Sequence, residues 1–260
     1  PQIPWSDPHF WDFGDGYLYT CEVNLSTGDS KDVYPAFRFG FRELWREGRN
    51  LVMNGRPLHM RTCYGYNCQT RNAMRFLRSI GYTVLTINHD MNGFPQYPAR
   101  ALDASDELGV GMILSCGNLG NLGGMEMLDN ADAQEAYEAY IRHFHRMFRN
   151  HPSLVACYVS QMIICDIDDF PPDRIGQTVG VGDRDKLINI AREINRKYNP
   201  DILYYSHADG PNGDMSSGNL YFNWTPQQEM DEWLSEWADK GIYPWHGAEF
   251  DTPYGGCWWY

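Results

Sequence analysis

Polar and aromatic residues follow short apolar segments at several places along this sequence. These residues are Asn88, His89, Gln161, His207, Trp224 and Glu249. Aromatic faces can cover the apolar C–H surface of a sugar ring, while amides, imidazoles and carboxylates bind its hydroxyl groups. The pattern therefore indicates a site for an uncharged sugar.

Glu249 is the sharpest candidate for catalysis. It follows an apolar and aromatic segment that contains Ile242, Tyr243 and Trp245. An ionised carboxylate is costly in such a setting unless it is paired or functional. A structural alternative is an acid that pairs with an arginine or caps the next turn. Its place in the seventh of a series of repeating units favours catalysis.

The other candidates also have structural alternatives. A single histidine such as His89 is more often bonded to a neighbouring loop than used in a pocket, although its place at a strand end favours the pocket. Trp224 and Trp245 could be core residues. Asp166 and Asp168 could lie in a solvated loop.

Hydrophobic periodicity predicts the elements that must position these residues. Residues 1–57 alternate short β-type segments with turn clusters, which predicts part of an antiparallel sandwich. From residue 58 to residue 260, seven apolar strands alternate with amphipathic helices. This alternation implies parallel pairing and predicts an α/β fold, a (β/α)8 barrel that lacks its eighth strand. The chain is accordingly expected to be an interior fragment.

A barrel brings the carboxyl ends of its strands together at one face, where the active site is built. An open doubly wound sheet is the structural alternative. No glycine-rich phosphate loop follows the first of the seven strands, which weakens a nucleotide-binding version of that sheet.

Composition narrows the classes of partner. The chain has 260 residues and a formal net charge of −13, which repels nucleic acid and anionic membrane surfaces. No segment approaches the apolar length of a membrane span. Cys63 and Cys68 lack the second half of a zinc motif, so a zinc site is not predicted.

The compartment and the oligomeric state stay open. The triplets Asn24-Leu-Ser26 and Asn223-Trp-Thr225 would permit N-glycosylation in a secretory pathway. An extracellular or periplasmic location is favoured.

The order of motifs resembles glycoside hydrolase family 2, the group of β-galactosidases, β-glucuronidases and β-mannosidases. The motifs are Trp5-Ser-Asp-Pro8, Phe39-Gly-Phe-Arg-Glu43, Met53-Asn-Gly-Arg-Pro57, Asn88-His89, Asp106-Glu-Leu-Gly109 and Asn150-His-Pro-Ser153. The resemblance covers nearly the whole chain and is carried by their combined order. It implies an immunoglobulin-like sandwich at residues 1–57 and a (β/α)8 barrel at residues 58–260.

The resemblance also implies exo-acting, retaining β-glycoside hydrolysis without a cofactor. Two carboxyl groups about 5 to 5.5 Å apart, at the ends of strands four and seven, serve as nucleophile and as acid then base. Glu249 matches the nucleophile. The sugar would be held by Asn88, His89, Gln161, His207 and Trp224, with Trp245 packed beneath it.

Strand four departs from the family pattern. Where the family ends this strand in Asn-Glu, the chain has Gln161-Met162. A thioether cannot donate a proton, and loss of a general acid costs roughly 10²- to 10⁴-fold in rate. Three explanations are open. Either Asp166 or Asp168 replaces the acid, or the chain is a carbohydrate-binding relative without turnover. The third is that Met162 is a substitution introduced in place of the natural residue. We predict an enzyme and keep the carbohydrate-binding relative as the alternative.

Overall fold

The computed structural model describes residues 4–64, 70–87, 96–117, 119, 124–161, 183–207, 213–220, 227–241 and 243–250. Within these ranges the chain forms twelve strands, five α-helices and one short 3-10 helix.

The N-terminal part of the chain is antiparallel, as predicted. Strands β1 (Tyr19–Thr27) and β2 (Ser30–Phe39) form a hairpin. Strands β3 (Leu44–Glu47), β4 (Asn50–Met53) and β5 (Arg56–Leu58) form a separate three-stranded sheet. Asn54 and Gly55, between β4 and β5, have φ angles of 50° and 74°, the positive values that a tight Asn-Gly hairpin turn requires.

The remaining seven strands pair in parallel. Strands β6 (Thr62–Tyr64), β7 (Val84–Ile87), β8 (Gly111–Ser115), β9 (Leu154–Gln161) and β10 (Leu203–His207) form a five-stranded sheet in chain order. Strands β11 (Ser216–Leu220) and β12 (Trp245–Phe250) form a second, two-stranded sheet. The seven predicted strands are thus present, and their order is compatible with part of a (β/α)8 barrel.

Helices connect the successive parallel strands, except that the described residues between β10 and β11 form no helix. They are α1 (Arg71–Ser79), α2 (Gln96–Leu108), α3 (Ala131–Phe148), α4 (Asp183–Tyr198) and α5 (Gln227–Lys240), with the 3-10 helix (Gly124–Leu128) preceding α3. The side chain of Asn130 accepts hydrogen bonds from backbone amides in the first turn of α3 and so satisfies donors that the helix leaves free. No helix in the described part of the chain is long and apolar enough to cross a membrane.

Two apolar clusters lie on opposite faces of the five-stranded sheet. Leu154, Cys157 and Val159 of β9 pack in the cluster that includes the buried face of α3. Tyr158 of β9 packs in the other cluster, together with Trp11, Leu51 and Met53 from the N-terminal part of the chain. We call the face on this second cluster the inner face.

Two sequence-based expectations are corrected at element ends. The spacing of Met74, Leu77 and Ile80 predicts a shared apolar face of the first helix. Ile80 instead follows the end of α1 and is 57% exposed. The segment NLYFNW at residues 219–224 predicts the sixth strand. The observed strand, β11, begins three residues earlier, at Ser216. A Cβ atom on Gly218 would lie 2.5 Å from Trp245 Cη2, so the bare glycine lets β11 approach that indole ring.

Candidate active site

Six of the predicted site residues lie outside the described ranges: Asn88, His89, Met162, Asp166, Asp168 and Trp224. Their roles stay predictions. The other four, Gln161, His207, Trp245 and Glu249, lie on strands.

Gln161 and His207 come together at the carboxyl ends of neighbouring strands. Gln161 is the last residue of β9, His207 is the last residue of β10, and the two are paired in register. The register slips between Tyr205 and His207, where two steps along β10 match three along β9. This β-bulge puts positions 158 and 161 of β9 on one face of the sheet, although an odd spacing normally separates faces.

A second β-bulge, in β12, determines the face of the strand on which position 249 lies. Gly218 pairs with Gly247, but the next residue, Asn219, pairs with Glu249. Positions 217 and 219 share a face of β11, and their partners in β12 are His246 and Glu249. The backbone therefore places positions 246 and 249 on the same face of β12.

Trp245 is not brought together with these positions. It is the first residue of β12 and adjoins His246, so it lies on the opposite face. Its indole covers Gly218. Its proposed place beneath the sugar stays a prediction.

A buried layer of aromatic and imidazole rings lies below the strand ends on the inner face. The ring centroid of Tyr158 lies 6.1 Å from that of Tyr205 and 5.5 Å from that of His207. The ring of Tyr205 meets His246 edge to face at 5.2 Å. All four side chains are buried. Rings from β9, β10 and β12 thus meet in one layer.

The imidazole of His246 is neutral in this layer. Burial lowers the pKa of His246 to about 4, and the neighbouring His207 acts in the same direction. At neutral pH the ring layer therefore gains no charge from His246.

The sequence patterns do not single out Tyr158, Tyr205 or His246. Tyr158 and Tyr205 lie in apolar strand segments, and this pattern predicts that they are core residues. Their contact with His246 joins strands that are distant in sequence, and the bulges that bring this layer under positions 161 and 249 leave no periodic signal. A histidine three residues before Glu249 is the one clue that the segment offers.

Three motifs of the family resemblance meet at the start of β9, at the opposite end of the strand from Gln161. Arg42 is bonded to three backbone carbonyls: Nε donates to Pro152 at 2.6 Å, Nη1 to Asp201 at 2.7 Å and Nη2 to Leu154 at 2.5 Å. Burial lowers the pKa of Arg42 to about 10, so the guanidinium remains charged at neutral pH. This motif residue therefore holds the start of β9 in place.

Asp106 holds the same strand from the side of α2. Its carboxylate lies 2.6 Å from His151 Nδ1 and accepts the backbone N–H of Ser153 at 3.0 Å. Asp103, Asp106 and His151 are close enough together to share a cation. Because Asp106 is already bonded to both the imidazole and the backbone amide, the cluster is satisfied as a structural link.

The comparisons with known proteins are informative at the level of fold. No protein-family model matches the chain. A Ruminococcus gnavus β-glucuronidase solved with a C6-substituted uronic isofagomine matches with a TM-score of 0.66 and 17% identity. A Lactobacillus rhamnosus β-glucuronidase matches at 0.63 and 17%. A Parabacteroides merdae β-glucuronidase matches at 0.59 and 19%.

These structures are much longer than the chain. The match covers 95% of the chain and 45% of the Ruminococcus gnavus protein, with the same two shares for the Lactobacillus rhamnosus protein. It covers 92% of the chain and 30% of the Parabacteroides merdae protein. The chain thus has the fold of a part of these β-glucuronidases and spans less than half of their length.

Proposed function

We propose that the chain is the central part of an exo-acting, retaining β-glycosidase of the glycoside hydrolase family 2 type. Residues 1–57 belong to an immunoglobulin-like sandwich in this proposal, and residues 58–260 to a (β/α)8 barrel. The observation that carries the proposal is the bulge in β12. It places the backbone of Glu249 on the same face as buried His246, near the carboxyl end of the strand.

Glu249 acts as the nucleophile in the proposed reaction. Its carboxylate attacks the anomeric carbon, the bond to the leaving oxygen breaks, and a glycosyl ester forms; water then hydrolyses that ester. The leaving oxygen needs a proton, which Met162 cannot supply. Asp166 or Asp168 takes that role if its carboxyl group comes within about 5 to 5.5 Å of Glu249.

Polar and aromatic side chains hold the sugar in this proposal. Gln161 and His207 are neighbours at the ends of β9 and β10, and Asn88, His89 and Trp224 complete the proposed pocket. A Ruminococcus gnavus β-glucuronidase with the same fold was solved with D-glucuronic acid. β-Glucuronides are therefore the first substrates to test, followed by β-galactosides and β-mannosides.

The second candidate function is carbohydrate binding without turnover. Met162 favours it, because this residue stands where the family pattern has its acid. The two functions differ in what happens to a substrate with a good leaving group, since such a group departs without being protonated.

The first prediction separates them with the full-length protein and two β-glycosides of one sugar. We expect hydrolysis of a 2,4-dinitrophenyl glycoside and of a methyl glycoside. Asp166→Asn or Asp168→Asn should lower kcat/KM on the methyl glycoside roughly 10²- to 10⁴-fold and spare kcat/KM on the dinitrophenyl glycoside, whose leaving group departs without a proton. Rates come from absorbance and from released sugar.

Three other results have distinct meanings. Hydrolysis of the dinitrophenyl glycoside alone, with a gain on the methyl glycoside in Met162→Glu, would show a glycosidase without its acid. Binding by calorimetry with no hydrolysis of either substrate would favour the carbohydrate-binding module. Neither binding nor hydrolysis with any of the three sugars would contradict both functions.

A further inference from the structure

The two parallel sheets have few backbone links in the described part of the chain. Strands β6 to β10 form one hydrogen-bonded sheet and β11 with β12 the other. Between β10 and the start of β11, an isolated bridge pairs Tyr205 with Gly213, and the N–H of Asp214 donates to the carbonyl of Tyr204 at 2.7 Å. The position of β12 relative to β9 therefore depends strongly on side-chain packing.

Side-chain contacts cross this gap on the inner face. Tyr158 of β9 contacts Tyr205 of β10, and Tyr205 contacts His246 of β12. The three side chains are 0%, 0% and 7% exposed. Because buried rings in contact have few alternative packings, this chain of contacts resists displacement of one strand against the other.

The contacts lie one layer below the proposed site. The bulge in β9 puts position 161 two ladder steps beyond Tyr158, and the bulge in β12 puts position 249 two steps beyond His246. Two steps correspond to about 7 Å along a strand. The same face of each strand thus carries a ring of this layer and, about 7 Å further on, a position of the proposed site.

We propose that Tyr158, Tyr205 and His246 form a brace that sets the spacing of β9 and β12, with His246 as a positioning residue for Glu249. The proposal rests on the proposed function. A retaining glycosidase needs a defined distance between its nucleophile and the anomeric carbon of the bound sugar, and a displacement of about 1 Å can cost roughly 10²-fold in rate. His246 does not touch the substrate in this proposal. The brace needs the shape of its ring and not its acid–base chemistry.

The experiment compares His246→Ala and His246→Phe in the full-length protein on the dinitrophenyl glycoside. His246→Ala should lower kcat about 10- to 100-fold and leave KM within about twofold, because the chemical step is impaired and sugar binding is not. His246→Phe restores a ring against Tyr205 and should recover kcat to within about threefold of the wild type. If His246→Ala does not fold, His246→Gln replaces it.

His145→Ala is the matched control. His145 is 1% exposed, and burial lowers its pKa to about 4, as for His246. It belongs to α3 and contacts Tyr204 at a ring-centroid distance of 6.2 Å, on the helix side of β10. The control should lower the midpoint of thermal unfolding and leave kcat at 25 °C unchanged.

Each of three other outcomes would contradict the proposed brace. Wild-type kcat in both His246 variants would show that spacing does not depend on the brace, and the proposed function would stand. A kcat as low in His246→Phe as in His246→Ala would show that the imidazole acts chemically. A wild-type protein without turnover would remove the proposed function, and the brace with it.

Discussion

Single residues of the motifs that carry the family resemblance stabilise the fold of this protein. Arg42 donates to carbonyls at the start of β9 and before β10, and Asp106 binds the backbone of Ser153. These residues fix the N-terminal end of the strand whose other end carries Gln161. The motifs that suggest a glycosidase therefore hold the strand that ends at the proposed site.

Arg42 gives the prediction at this scale. Arg42→Ala leaves three carbonyls without their charged donor, so we expect a loss of about 3 kcal/mol in the free energy of unfolding. Arg42→Lys keeps the charge but not the planar fork and should lose roughly half as much. Urea unfolding measures both.

Arg56→Ala is the control, since Arg56 pairs with Asp12 through a side chain that is 72% exposed. Exposed ion pairs contribute less than about 1 kcal/mol. Equal losses at Arg42 and Arg56 would contradict the structural role of Arg42.

At the scale of elements, a buried polar network joins α3, α4 and β10. His145 Nε2 lies 2.9 Å from Asn195 Oδ1, Asn195 Nδ2 donates to Tyr137 at 3.2 Å, and Tyr204 donates to the carbonyl of Asn199 at 2.8 Å. Burial lowers the pKa of His145 to about 4. The network is therefore built around a neutral imidazole.

This network predicts a loss of stability in acid. An unfolded histidine, with a pKa near 6.5, binds its proton at a higher pH than folded His145 does. Its contribution is complete above about pH 6.5 and falls by about 3 kcal/mol towards pH 4. Urea unfolding of the wild type and of His145→Gln between pH 7.5 and pH 4 should show a smaller decline in the variant. Parallel pH profiles would refute a neutral His145.

Much of this element pattern was predictable from sequence, because apolar spacing reports which side of a helix or strand is buried. The helical spacing of six residues predicts one buried face of α3: Tyr137, Tyr140, Ile141, Phe144, Met147 and Phe148. Four of them are buried and Tyr140 is partly buried, but Met147 is 37% exposed. The start of β11 was not predictable, because Gly218 is there to admit Trp245 from another strand. The layer of rings was not predictable for the same reason, since contacts between distant strands leave no local signal in the sequence.

At the scale of the whole molecule, the β1–β2 hairpin presents an uncovered apolar face. Val23 pairs with Tyr34 and Cys21 with Phe37, so these side chains share one face. Val23, Tyr34 and Phe37 are exposed. A two-stranded hairpin is marginal by itself and needs a packing partner. In the proposed immunoglobulin-like sandwich, a second sheet covers this face.

The central claim, that Glu249 is the nucleophile of a retaining glycosidase, is tested most directly by trapping the glycosyl ester. The full-length protein is incubated with the activated 2-deoxy-2-fluoro glycoside of the sugar that it hydrolyses, and the labelled peptide is sequenced by mass spectrometry. We predict one label, on Glu249, and no label in Glu249→Gln, whose turnover should be lost. A label on another residue, or full activity in Glu249→Gln, would contradict the account.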